Sequence, residues 1–178
     1  VGHTQSECFR NEGGSDNIYE HLSMHDGMAI GFYIVTGKNN LVLNCDAYNN
    51  YDPVSDGGKG GNVDGFGGHL TSPQYTGNVF RGCRAWYNSD DGFDLINCQA
   101  VFTIDNCWSF LNGYTKDGGK AGDGTGFKSG GYGMSDSPKA PSVIPMHIVQ
   151  YCLAYMNKNK GFYANHHLGG IAWYNNTG

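Results

Sequence analysis

One short frame recurs along this chain and narrows what it can fold into: Cys, any residue, a small residue, an aromatic, any residue, Asn. "CDAYNN" at 45–50, "CRAWYN" at 83–88, "CWSFLN" at 107–112 and "CLAYMN" at 152–157 all follow it. "GIAWYN" at 170–175 keeps it with glycine in place of cysteine. "SECFRN" at 6–11 keeps the aromatic and the asparagine, and "EHLSMH" at 20–25 reads as a degenerate copy with His25 in the asparagine column. A second anchor, Gly-Phe, recurs at 31–32, 65–66, 92–93, 126–127 and 161–162. Equivalent asparagines are separated by 24 residues from Asn88 to Asn112 and by 18 from Asn157 to Asn175, and by more where glycine-rich segments intervene. A constant core with excursions of variable length is the pattern of stacked coils.

The coils read as β rather than helical. Short alternating stretches such as "NLVLNC" and "NVFRGC" have the period of strands. The 29 glycines, 12 tyrosines and 9 phenylalanines suit strands separated by turns. Stacked coils bring equivalent residues to within about 4.8 Å along the axis. Asn50, Asn88, Asn112, Asn157 and Asn175 are then expected to form an internal ladder, since asparagine both donates and accepts and tolerates turn conformations. The cysteine column reads as a stack of small buried residues with free thiols, with disulfides between coils as the alternative. Excursions at 51–63, 113–125 and 129–145 fall at a shared place in the repeat, which predicts loops on one side of the solenoid. The chain reads as one domain over 1–178. It lacks a polar capping coil, begins at Val1 and carries no signal peptide, so it is expected to be the central part of a longer solenoid.

Charge and cysteine spacing remove several classes. A formal net charge of −5 disfavours a nucleic-acid partner. No apolar run reaches the roughly 18 residues of a membrane span. The six cysteines form no CxxC pair, so a zinc ribbon or thioredoxin-like site is not indicated.

The stretch "NSDDGFDLINC" at 88–98 carries three aspartates and no cation of its own. Aligned on Gly-Phe, Asp64, Asp91 and Thr125 share one column, and Gly67, Asp94 and Lys128 share another. Three successive coils therefore assemble Asp64, Asp90, Asp91 and Asp94 beside Lys128. Carboxylates gathered without thiolate or imidazole make a hard-oxygen site that favours calcium and admits magnesium or manganese. One lysine does not offset four carboxylates, which argues for a divalent ion. The residues do not match an EF-hand loop, so the site is discontinuous. Asp91 and Asp94 have opposite strand parity, and their convergence requires a bend between them.

The run "GGNVDGFGGH", then "GNVFRGCRAWYNSDDGFDLIN", then "GDGTGFKSGGYG" closely resembles polysaccharide lyase family 9 over roughly residues 40–178. The resemblance implies a right-handed parallel β-helix and calcium-dependent β-elimination of pectic polysaccharides. It implies a primary calcium held by Asp64, Asp90, Asp91 and Asp94, and Lys128 as the base that removes the C5 proton. Lysine must be neutral for that task although its free pKa is about 10.4, so activation by the bound cation and activity rising into alkaline pH are expected. Lys59, Arg81, Arg84, Lys116 and Lys120 are candidates for binding further substrate carboxylates. His69 and Tyr132 lie near the site in sequence without an assigned role.

The implied partner is an acidic plant cell-wall polysaccharide, with homogalacturonan (pectate) first and rhamnogalacturonan I as the alternative. A non-catalytic, calcium-stapled carbohydrate-binding β-helix is a further alternative. A secreted, periplasmic or cell-surface monomer is expected.

Overall fold

The computed structural model describes residues 6–54, 56–133 and 140–178. Every strand in it is short and every pairing between strands is parallel. Sheet A contains Phe9–Asn11, Phe32–Ile34, Phe66–Gly68, Phe93–Asp94, Phe127–Lys128 and Phe162–Tyr163. Sheet B contains Ile18–Glu20, Leu41–Leu43, Asn78–Arg81, Phe102–Asp105, His147–Gln150 and Ile171–Tyr174. Sheet C contains Ser23–His25, Asp46–Tyr48, Arg84–Trp86, Trp108–Phe110 and Leu153–Tyr155. The chain visits A, B and C in turn and then climbs one coil, which is the parallel β-helix expected from the repeat. Among the described residues there is no α-helix, only a 3-10 turn at Asp56–Gly58. Among the described residues no helix is long and apolar enough to cross a membrane.

The interior is built from columns. Phe66, Phe93, Phe127 and Phe162 stack ring on ring with centroids 4.9, 4.8 and 4.9 Å apart. These separations are the inter-strand spacing itself. Opposite them lie the small residues of sheet C, Ala47, Ala85, Ser109 and Ala154, all buried. The six cysteines are free thiols. In their column Cys83 N–H and Cys107 N–H each donate to the sulfur of the next coil at 3.4 Å.

The asparagine ladder forms in its four central members. Asn50 Nδ2 donates to Asn88 Oδ1 at 2.9 Å, Asn88 to Asn112 at 3.0 Å, and Asn112 to Asn157 at 3.0 Å. It occupies the corner between sheets C and A. The residue before each ladder asparagine is left-handed, including Tyr87, Leu111 and Met156. Such conformations strain a branched or bulky residue and persist only where the surrounding coil enforces them.

Three outer copies of the frame sit elsewhere than the sequence suggests. Phe9 pairs with Phe32 in sheet A, so "SECFRN" belongs to the Gly-Phe column. Asn11 is bonded to the carbonyls of Gly14 and Thr36 and is no rung of the ladder. His25 pairs with Tyr48 and stacks on it at 4.9 Å, which puts it in the aromatic column; Gly27 meets the ladder through its N–H to Asn50 Oδ1. Tyr174 pairs with Gln150 in sheet B, so Asn175 lies at the B–C corner and Asn176 takes the cysteine column, accepting from Cys152 N–H at 2.9 Å. An aromatic two residues before an asparagine occurs at more than one corner of a coil, so the pattern alone does not say which corner it marks. A second ladder, Asn17–Asn40–Asn78, lines the A–B corner with side-chain bonds of 3.0 and 2.9 Å.

Candidate metal and active site

The predicted columns are realised in sheet A. Phe93 pairs with Phe66 on one side and Phe127 on the other, which sets Asp94 between Gly67 and Lys128. Asp64 and Asp91 precede these strands by equivalent steps, and Asp91 N–H donates to Asp64 Oδ1 at 3.1 Å. Gly92 lets the coil turn here without a side chain: a Cβ would lie 2.8 Å from Gly126 O and 2.9 Å from the ladder amide of Asn112. Close packing of the corner against the ladder therefore dictates the glycine between Asp91 and Phe93.

All four carboxylates are buried, with Asp91 wholly inaccessible. Main-chain donors fix them. Asp90 accepts from Asn62 N–H at 2.7 Å and from Asp123 N–H at 2.5 Å, one on each oxygen. Asp91 accepts from Thr125 N–H and Asp94 from Ile96 N–H, both at 2.7 Å. The 51–63 and 113–125 excursions thus supply the amides that orient Asp90 and Asp91. Lys128 Nζ lies 3.1 Å from both Asp91 Oδ2 and Asp94 Oδ2. Apart from that ammonium, Asp91 Oδ2 meets no donor among the described residues.

The electrostatics show how unfavourable the cluster is by itself. Burial, then the charges of Asp94, Asp90 and Asp91, holds the Asp64 carboxyl well above the usual range. Burial raises Asp90 despite its two amide bonds. Asp91 is pushed up to about 8 by burial and by Asp90 and Asp94. Burial would lower Lys128, but the carboxylates of Asp94, Asp91 and Asp64 outweigh it and raise the ammonium above its ordinary value. A hard divalent cation fits this donor set: it takes oxygen ligands and relieves carboxylates that one lysine leaves uncompensated. Ligand atoms of Asp64, Asp90 and Asp91 lie within 4.8 Å of one another, as do those of Asp64, His69 and Asp94.

A groove of about 380 Å³ opens over the cluster, lined by Lys59, Asn62, Asp90, Asp123, Lys128 and Lys158 among others. Lys59 is therefore at the site. Arg81 and Arg84 are not: they project from sheets B and C, where Arg81 pairs with Asp105 and Arg84 with Asp46, each at 2.7 Å. Their sequence proximity to the aspartates is undone because successive segments of one coil face different directions. Lys116 and Lys120 are exposed on the 113–125 excursion and do not line the groove.

Tyr132 is turned inward, its hydroxyl donating to Cys98 O at 2.8 Å. His69 lies at the edge of the cluster, with Nε2 3.9 Å from Asp94 Oδ2 and Nδ1 3.1 Å from the Tyr33 hydroxyl. The third excursion does not share the place of the other two: 51–63 and 113–125 follow strands of sheet C, whereas 129–145 lies between Phe127–Lys128 of sheet A and His147–Gln150 of sheet B, and its residues 134–139 lie outside the described residues. Lys158 and Asp123 were not singled out from sequence. The available signal was position: Lys158 directly follows the ladder residue Asn157, where other coils begin their excursions.

The parallel β-helix is the fold this chain shares with a class of polysaccharide lyases, the rhamnogalacturonan and pectate lyases. The chain belongs to that class at family level: its whole length, residues 1–178, matches the model "Pel9A-like, right handed beta helix region", placing it in polysaccharide lyase family 9. It is 41% identical to pectate lyase L of Dickeya chrysanthemi over 167 residues, covering 92% of this chain and 36% of that protein. Among solved structures it is similar to a rhamnogalacturonan lyase (64% identity, TM-score 0.90, 98% of this chain and 43% of the other). It is also similar to pectate lyase Pel9A (37% identity, TM-score 0.78, 97% and 40%). The chain thus spans about two fifths of the length of these relatives.

Proposed function

We propose that this β-helix carries the active site of a calcium-dependent lyase that cleaves pectic polyuronides by β-elimination. The observation that carries the reading is the position of Lys128, the cation held 3.1 Å from two members of a buried four-carboxylate cluster at the floor of an open groove.

Asp64, Asp90, Asp91 and Asp94 are the residues that would hold calcium. When bound, the ion supplies Lewis-acid charge at a uronate carboxylate and so acidifies the adjacent C5–H. Lys128 takes the C5 proton on Nζ, the electron pair forms the C4–C5 double bond, and the C4–O bond to the departing sugar breaks, its oxygen taking a proton from water in the open groove. Lys128 performs this role once its ammonium proton is gone, which requires that Asp91 and Asp94 be neutralised by something other than the lysine. Lys59, on the groove wall, is suited to a neighbouring uronate carboxylate.

Two pectic backbones present the required uronate. Homogalacturonan is the first expectation from the sequence, and the pectate lyase relatives agree with it. Rhamnogalacturonan I is favoured by the rhamnogalacturonan lyase at 64% identity over 98% of the chain, and we rank it first. Either substrate implies action outside the cell that makes the protein. The test is incubation with each polymer, with calcium or chelator, following unsaturated uronide by ultraviolet absorbance. Calcium-dependent product on one polymer, lost in Lys128→Ala, is expected. Saturated products, or undiminished activity in Lys128→Ala, would overturn the mechanism.

A further inference from the structure

Lys158 occupies the column of Ser89 and Gly113, one step after the asparagine ladder: Ser89 N–H bonds Asn50 O, Gly113 N–H bonds Asn88 O and Lys158 N–H bonds Asn112 O. In this column Ser89 and Gly113 are small, and Lys158 is long and charged. Among the described residues its Nζ pairs with no carboxylate. It donates to the main-chain carbonyls of Ala121, at 2.8 Å, and of Gly122. The N–H groups of the same two peptide units point the other way. Gly122 N–H donates to Ser89 O at 2.6 Å, and Asp123 N–H donates to Asp90 Oδ1 at 2.5 Å. Lys158 and Asp90 therefore sit at opposite ends of one peptide unit, with the ammonium on its oxygen and the carboxylate on its N–H.

The path for this side chain is kept clear. A Cβ on Gly113 would lie 2.7 Å from Lys158 Cβ, and one on Gly124 would lie equally close. Both glycines have positive φ, so space and backbone alike demand glycine there. A cation on a peptide oxygen polarises the unit and strengthens its N–H as a donor, and a charge-assisted bond to carboxylate is the stronger kind.

We propose that Lys158 is a positioning residue for the metal ligand Asp90. It locks the peptide units 121–122 and 122–123 so that Asp123 N–H holds Asp90 Oδ1 while Asn62 N–H holds Oδ2, and the remaining lone pairs of the carboxylate face the cation site. The inference rests on the reading of Asp90 as a calcium ligand.

The test is calorimetric titration of calcium into the protein and its Lys158→Met and Lys158→Arg variants, with melting curves recorded in chelator. Loss of an outer partner of a metal ligand weakens binding by roughly 10–100-fold. Lys158→Met is expected to fall in that range, and Lys158→Arg to retain most of the affinity. Calcium affinity unchanged in Lys158→Met overturns the inference. A lower metal-free melting temperature would then mark a plain tether, and a raised KM a substrate contact. If Lys158→Met does not fold, Lys158→Gln, which keeps a donor for one carbonyl, is titrated with the same expectation. A wild-type protein that takes up no calcium defeats the ligand reading of Asp90 itself, a result distinct from wild-type binding matched by the variant.

Discussion

Lys128 stands directly across from Asp94 in the register of sheet A, and its ammonium lies 3.1 Å from that carboxylate and from Asp91 Oδ2. The lysine is thus the counter-charge of the cluster whenever no metal is there. A cation entering the cluster takes over that duty, which frees the lysine for chemistry and also means that lysine and metal compete electrostatically.

Replacing Lys128 by Met should separate these two roles. Loss of a general base is expected to lower turnover by on the order of 10²–10⁴-fold. Calcium affinity should be equal to wild type or tighter, because a competing cation has been removed. Uronide absorbance and calorimetry on the same preparation check both halves, and a parallel loss of calcium binding would contradict the competition.

Asp91→Asn should move metal affinity and metal-free stability in opposite directions. Burial, aided by Asp90 and Asp94, already pushes the Asp91 carboxyl up to about 8, so a neutral amide relieves the empty site. Its Oδ1 still accepts from Thr125 N–H. The melting temperature in chelator is expected to rise by about 2–4 °C for each kcal/mol relieved, while the rise that calcium produces in wild type should disappear.

The acid limb of stability should depend on His147. This imidazole is fully buried, accepts Phe102 N–H at Nδ1 (3.2 Å) and packs against the His167 ring, 4.8 Å away. Burial, with His167 adding to it, lowers its pKa from 6.5 to about 3. The folded value lies below the unfolded one, so its contribution is complete above about pH 6.5 and is lost as the pH falls toward 3. His147→Asn keeps an acceptor for Phe102 N–H and removes the titration. Urea midpoints between pH 4 and 7 should then fall less steeply with acid than in wild type, and an unchanged slope would refute the assignment.

Asn112→Ala should cost more than its size suggests. The buried amide accepts from Asn88 and donates to Ala85 O and Asn157 Oδ1, each at 3.0 Å. Truncation orphans several buried polar groups at about 1–3 kcal/mol each. Urea denaturation should show a loss of several kcal/mol, against little change for an exposed residue of the neighbouring coil.

Arg84→Ala supplies that contrast. The guanidinium is half exposed, bonded to Asp46 at 2.7 Å by two nitrogens, and set over Trp86 at 5.8 Å. Such a surface pair contributes about 0–1 kcal/mol. Stability should fall within that range and KM should stay at the wild-type value, since Arg84 projects from sheet C while the groove lies over sheet A.

The repeat made much of this legible. The spacing of Cys, aromatic and Asn placed the four central coils correctly, and the Gly-Phe anchor gave the register that brings Asp64, Asp91, Asp94 and Lys128 together. That worked because stacked coils turn equal sequence position into spatial neighbourhood, about 4.8 Å away. The outer frames failed where the same aromatic–Asn spacing marks a different corner, as at Asn11 and Asn175, and where a degenerate copy was read two residues out of register, as at His25.

The direction each segment faces, and the path of the excursions, were decided by tertiary structure. Arg81 and Arg84 sit few residues from Asp90 and yet project from other sheets, because a coil turns three corners within some two dozen residues. Lys158 sits far from Asp90 in sequence and reaches it through one peptide unit of a loop whose conformation no periodicity encodes. Sequence determined which residues share a column. The fold determined which of them share a site, because hydrogen bonds between an excursion and the coil beneath it depend on backbone geometry rather than on residue type.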